Sequence, residues 1–122
     1  MKRFGFSKSA RLLKPAEFER VMRRRTSESD GLVILYAARG ESEATRLGLV
    51  VSRKCGNSVA RNRWKRLLRE AFRLCVHELP VGLDLVVLPR PEAAPHVERL
   101  QTSLKNLATR LESRLPAAEP RR

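Results

Sequence analysis

Between Gly56 and Pro80 the chain carries a segment with two opposed faces. Drawn as a helix at about 100° per residue from Trp64, it places Ala60, Leu67, Leu68, Ala71, Phe72, Cys75 and Leu79 within about −60° to +80°. Asn62, Lys65, Arg66, Arg69 and Arg73 fall on the other side, between about 100° and 200°. A helix of this kind buries one stripe against another layer and leaves the other in solvent. Gly56-Asn-Ser58 supplies a start, with Asn57 or Ser58 able to cap the first free amides. Pro80 and Gly82 stop it, so the helix is expected to run to about Glu78.

The flanking sequence offers the layer it needs. Residues 31–38 and 46–52 are rich in β-branched and aromatic side chains and read as strands. The polar link 40–45 joins them, and a hairpin pairing is expected. Residues 83–88, closed by Pro89 and Pro91, read as a third strand. Pro15 can open a first helix, because its missing N–H is an orphan donor of the first turn anyway. Glu17 and Glu19 suit the positive end of that helix, and Phe18, Val21 and Met22 recur at helical spacing. Arg23-Arg24-Arg25 lies in its last turn, before a polar break at 26–30. A final helix runs from about Pro95 to Leu115, with Val97, Leu100, Leu104, Leu107 and Leu111 on one stripe. The order α-β-β-α-β-α predicts one mixed layer structure. At 122 residues the chain is expected to be one domain, ordered over about 7–115 with 116–122 a frayed tail.

Charge narrows what such a layer is for. Lys+Arg 26 against Asp+Glu 13 leaves a formal net charge of +13, a field that draws polyanions. Residues 61–73 hold six bases and one acid, Glu70. Cations at helical spacing repel by a few tenths of a kcal/mol per pair, which a bound polyanion relieves. The arginine fork also grips phosphate in two hydrogen bonds where lysine offers a point charge. A basic face is often merely solvated, and the 20 Arg to 6 Lys bias can reflect genomic base composition. The scarcity of local acids favours nucleic-acid contact. Arg53 and Lys54 add weight, because they stand just before a helix start whose free amides and dipole suit phosphate.

Other classes fall away. The longest run without a polar residue or glycine, 32–38, is far short of the roughly 20 residues of a membrane span. No apolar region follows Lys2-Arg3 as a signal peptide would require. Cys55 and Cys75 form no CxxC, so neither a zinc ribbon nor a redox site is supported, and reduced thiols are expected. The acids Glu17, Glu19, Asp30, Glu41, Glu43, Glu70 and Asp84 are scattered, His77 and His96 sit in separate elements, and no Gly-rich phosphate loop occurs. The residues read as an RNA binder without bond-breaking groups of its own. A structural RNA-binding protein of the ribosomal or chaperone kind stays open beside this. A reader of the DNA major groove fits less well, since the stripe repeats arginine rather than mixing base-reading types.

The run Arg53-Lys-Cys-Gly-Asn-Ser-Val-Ala-Arg-Asn-Arg-Trp-Lys-Arg-Leu-Leu-Arg-Glu70 resembles the signature of the bacterial ribonuclease P protein component. Its core is Arg61, Asn62, Arg63, Lys65, Arg66 and Arg69. The resemblance continues through Leu12-Leu-Lys-Pro-Ala-Glu-Phe18, Leu35-Tyr36, Arg46-Leu-Gly-Leu and Asp84-Leu-Val-Val, and covers about residues 7–110. It implies an α+β fold, a two-layer sandwich of order α-β-β-(β)-α-β-α of the ribosomal protein S5 domain 2-like type. It also implies a left-handed β-α-β crossover, against the usual right-handed rule.

The function implied is that of the protein subunit of an RNA-based endonuclease that removes the 5′ leader of precursor tRNA. The implied partners are ribonuclease P RNA, bound as a 1:1 complex with a protein monomer, and precursor tRNA, in the cytoplasm and with no membrane. The RNA with its magnesium would be the catalyst, and the protein would carry no catalytic residue, metal or cofactor. Arg53, Lys54, Arg61, Asn62, Arg63, Lys65, Arg66, Arg69 and Arg73 would contact the RNA subunit. Phe18, Met22, Tyr36 and Arg90 would line a leader cleft between the first helix and the sheet. Stacking of bases on such rings contributes about 1–3 kcal/mol and tolerates any sequence. Phe18 equally fits plain core packing against Val21. Two departures stand out: Met22 replaces a frequent second aromatic, which weakens stacking, and Trp64 replaces an aliphatic residue, a bulkier core contact.

Overall fold

In chain order the elements are α1 (Pro15–Arg23), β1 (Ser27–Ser29), β2 (Val33–Arg39), β3 (Arg46–Leu49), α2 (Ser58–Cys75), β4 (Leu83–Pro89) and α3 (Val97–Arg114). They are those of a computed structural model that describes residues 10–116. Residues 7–9 and, of the expected tail 116–122, residues 117–122 lie outside the described residues, while the Pro116 carbonyl accepts from the Arg39 Nε at 2.9 Å. Short 3-10 turns stand at Arg53–Cys55, before α2, and at Val76–Glu78, where α2 tightens before Pro80.

The sheet order is β1-β2-β4-β3. β4 is buried along nearly its whole length on both faces, which is how a central strand of continuous apolar residues behaves. It pairs antiparallel with β2 and parallel with β3. The hairpin expected between residues 31–38 and 46–52 is therefore not formed. Both segments instead flank β4, and α2 is the crossover that brings β4 back parallel to β3. The polar stretch 26–30 follows the end of α1 as expected, but it also holds a strand. Ser27–Ser29 is an edge strand on β2, tied down by the bond from the Ala37 N–H to the Thr26 carbonyl and by Arg114 on the Ser27 carbonyl.

Alternation along the strands gives the sheet two unequal faces. Val33, Leu35, Ala37, Leu47, Leu83, Leu85 and Val87 point toward α2 and α3 and form the main core with Trp64, Leu68, Phe72, Leu104 and Leu107. On the opposite face α1 alone packs, through Val21, against Leu12, Ala38 and Val86. One short helix cannot cover a four-stranded sheet. Tyr36, Val50 and Leu88 stay partly exposed beside Phe18 and Met22, and a groove is left.

Candidate nucleic-acid interface

The basic surface depends on how α2 begins. Gly56 has φ +117°, and a Cβ there would lie 2.8 Å from that of Ala60, so both backbone and space require glycine. Asn57 then caps the helix, its side chain accepting from the Ala60 N–H at 2.9 Å. With Trp64, Leu68, Ala71, Phe72 and Cys75 buried, Asn62, Arg63, Arg66 and Arg69 are forced outward and are exposed. Arg53 and Lys54 are exposed on the 3-10 turn just ahead, while Arg61 and Lys65 are half-buried toward the sheet edge. The Arg61 Nε is buried without a hydrogen-bond partner. Arg73 differs from its neighbours. Glu70 takes two hydrogen bonds from it, at 2.9 and 2.7 Å, so the one acid on this face offsets the last cation of the stripe. That contact lowers the Glu70 carboxyl and raises the Arg73 guanidinium.

The groove is built on sheet register. Gly48, Val86, Tyr36 and Ser27 lie side by side across all four strands. A Cβ on Gly48 would stand 2.5 Å from the Phe18 ring, so the ring occupies the space that glycine leaves. Phe18 thus both packs and remains half-exposed. With Leu13, Leu47, Leu49, Lys65 and Arg69 it lines a cavity of about 190 Å³ at the outer edge of β3, where Arg11 and Leu12 bridge to Leu47, and this brings one end of the groove against α2. Met22 and Tyr36 border the same floor. Arg90 is placed differently from the other three expected cleft residues. Its Nε donates to the Asp30 carbonyl at 2.6 Å and its terminal nitrogen to Ser29 Oγ at 3.2 Å, so it braces the β1–β2 turn at the groove margin.

Four residues that fix the groove were not singled out as site residues from sequence. Asp84 is fully buried, and Arg46 grips it with two hydrogen bonds of 2.9 and 2.8 Å. Arg20 of α1 bonds the same carboxylate and also the Arg39 carbonyl at 3.1 Å. Arg46 reaches Glu17 at 3.0 Å, and Glu17 accepts the Leu13 and Lys14 N–H groups at 2.9 and 3.0 Å. Those two amides, the Lys14 one most, hold the Glu17 carboxyl down at about 2, with Arg46 assisting. Bonding to Asp84 in turn raises the Arg46 guanidinium. Together the four groups clamp α1 onto the sheet. The signal was present in Arg46-Leu-Gly-Leu and Asp84-Leu-Val-Val, but only the parallel register sets Arg46 opposite Asp84.

Among the described residues no group of three or more His, Cys, Asp or Glu side chains could hold a metal ion, and no helix is long and apolar enough to cross a membrane. Cys55 and Cys75 are free and buried, and burial pushes the Cys75 thiol up to about 11.

A family model described as Ribonuclease P matches residues 6–112. The chain belongs to the ribonuclease P protein family. The ribonuclease P protein component of Brevibacillus brevis is 42% identical over 105 residues, 84% of this chain and 83% of that protein. That of Clostridium kluyveri is 43% identical over 101 residues, 80% and 89% of the two chains. Among solved structures, the ribonuclease P protein of Thermotoga maritima superposes with a TM-score of 0.73 at 30% identity, covering 82% of this chain and 96% of that one. The Staphylococcus aureus protein gives 0.70 at 29%, covering 87% and 92%. The two share the mixed α+β fold described above. The chain's role is accordingly in ribonuclease P and tRNA processing, as a ribonucleoprotein component partnered with ribonuclease P RNA.

Proposed function

We propose that the protein binds two RNA segments at once, the catalytic RNA on the outer face of α2 and the 5′ leader of precursor tRNA in the groove beneath α1. The observation that carries this is the adjacency of the two surfaces. Lys65 and Arg69 of α2 line the same cavity as Phe18 of α1. Arg53, Lys54, Asn62, Arg63, Arg66 and Arg69 then engage phosphates of the RNA subunit as forks and point charges. Arg61, half-buried beside them, adds its charge to the same surface. Phe18, Met22 and Tyr36 supply an apolar floor on which leader bases stack without regard to sequence.

In this reading the RNA subunit is the catalyst and leader removal is a hydrolysis. The scattered acids and histidines here fit no cleavage site, and magnesium is held by RNA phosphates rather than by this chain. A 1:1 complex in the cytoplasm follows, supported by two unbridged thiols and the like-charge repulsion between copies.

The deciding experiment is reconstitution with a bacterial ribonuclease P RNA at low magnesium. Faster cleavage of precursor tRNA than by RNA alone is expected, together with tighter binding of precursor than of mature tRNA. No gain on either measure overturns the proposal, and preferential binding to ribosomal RNA would point to a structural RNA-binding role instead.

A further inference from the structure

The groove does not end at Met22. Residues directly opposite one another on neighbouring strands share a face, so Ser27, paired with Tyr36, lies on the groove side at the far edge of the floor. Ser29, paired with Ile34, lies on the same face and receives Arg90. The wall ends over this edge as well, because only Thr26 separates Arg25 from Ser27. Arg23 is the last residue of α1, Arg24 is its C-cap, and both are exposed, as is Arg25.

Arg25 has φ +55° and is the one non-glycine with positive φ among the described residues. An L side chain adopts that conformation at a cost that glycine avoids. Cations do favour a helix C-terminus, but Arg20 and Arg23 already occupy the last turn. Neither Arg24 nor Arg25 has an ion-pair partner among the described residues, and the carboxylate nearest Arg23, that of Glu19, is 3.9 Å away. A strained, exposed and unneutralised cation at the mouth of a groove is a cation placed for a ligand.

We propose that Arg24, Arg25 and Ser27 form a phosphate subsite for single-stranded RNA leaving the groove past Met22. This rests on the leader reading above and extends it to the distal, 5′ part of the leader. At about 1.5 Å per residue, α1 advances about 8 Å from Phe18 to Arg23, with Arg24 and Arg25 just beyond its end, room for about two to three nucleotides at stacked spacing.

The test uses holoenzyme reconstituted with ribonuclease P RNA and three substrates: mature tRNA, a precursor whose leader ends within the groove, and one whose leader extends beyond it. For the wild type, extending the leader should tighten binding. In the double variant Arg24→Ala with Arg25→Gly, that gain should fall roughly tenfold and the log–log salt slope by about 1.4, one contact per cation. Arg25→Gly alone should lose part of the gain while the thermal midpoint holds or rises, which separates lost contact from lost folding. An unchanged gain in the double variant overturns the subsite. Wild-type holoenzyme that ignores the leader altogether overturns the underlying reading instead.

Discussion

Arg46 and Asp84 face each other across parallel strands, 38 residues apart in sequence, and meet through two hydrogen bonds of 2.9 and 2.8 Å. The carboxylate is fully buried, and Arg46 and Arg20 both bond it, so burial leaves it with partners on two elements. Since Arg20 belongs to α1 and Arg46 also reaches Glu17 of α1, this one carboxylate holds the groove's wall to its floor. Asp84→Asn should cost about 3 kcal/mol, measured as a fall in urea midpoint, because it leaves Arg20 with no carboxylate partner among the described residues and Arg46 with Glu17 alone. Leader affinity should fall further than affinity for the RNA subunit, whose contacts lie on α2.

The other end of that network titrates. Glu17 has its folded pKa near 2 against an ordinary 4.5, so the stability it contributes is present above about pH 4.5. It is lost as pH falls from there toward 2. Thermal midpoints followed by circular dichroism should drop across this interval. In Glu17→Gln the drop should be shallower and the midpoint at neutral pH lower.

Gly48 is the floor under Phe18. Adding even a methyl group would place carbon 2.5 Å from the ring, so Gly48→Ala should displace Phe18 and cost about 1–3 kcal/mol. Phe18→Leu should keep most of the packing and lose the stacking. A stability loss in the first variant and a leader-affinity loss in both is the expected pattern from melts and equilibrium binding.

On α2 the cations are not equivalent. Arg66→Ala should weaken assembly with the RNA subunit and flatten its log–log salt dependence by roughly 0.7–0.9. Arg73→Ala should do less, since Glu70 already offsets that charge. Glu70→Gln should release Arg73 and steepen the dependence by up to a similar amount, roughly 0.7–0.9. Filter binding across a salt series measures all three.

What the sequence made readable was whatever is local. The two faces of α2, its Asn57 cap and the helical spacing of Phe18, Val21 and Met22 follow from neighbours a turn away, and the structure reproduces each. Strand partners are another matter. Residues 46–52 look equally good beside β2 or β4, and nothing within them records that α2 returns the chain parallel to β3. Ser27–Ser29 lacks the composition of a strand and becomes one because β2 offers an unpaired edge. Without the register Asp84 looks like one more scattered acid, and Arg90 like a groove residue free to bind rather than a brace on the Ser29–Asp30 turn.

A final consequence comes from α2 serving the core and the RNA with the same 18 residues. Its two faces are out of phase, so their relation is set by residue count alone. A single insertion or deletion between Trp64 and Phe72 would turn everything beyond it by about 100°. A deletion ahead of Arg69 would swing it from about 140° to about 40°, into the buried stripe, and carry its apolar neighbour Ala71 out of it. The segment can therefore accept many substitutions and almost no change of length, while the exposed residues 41–44, between the hydrogen-bonded Gly40 and Thr45, have room to grow or shrink.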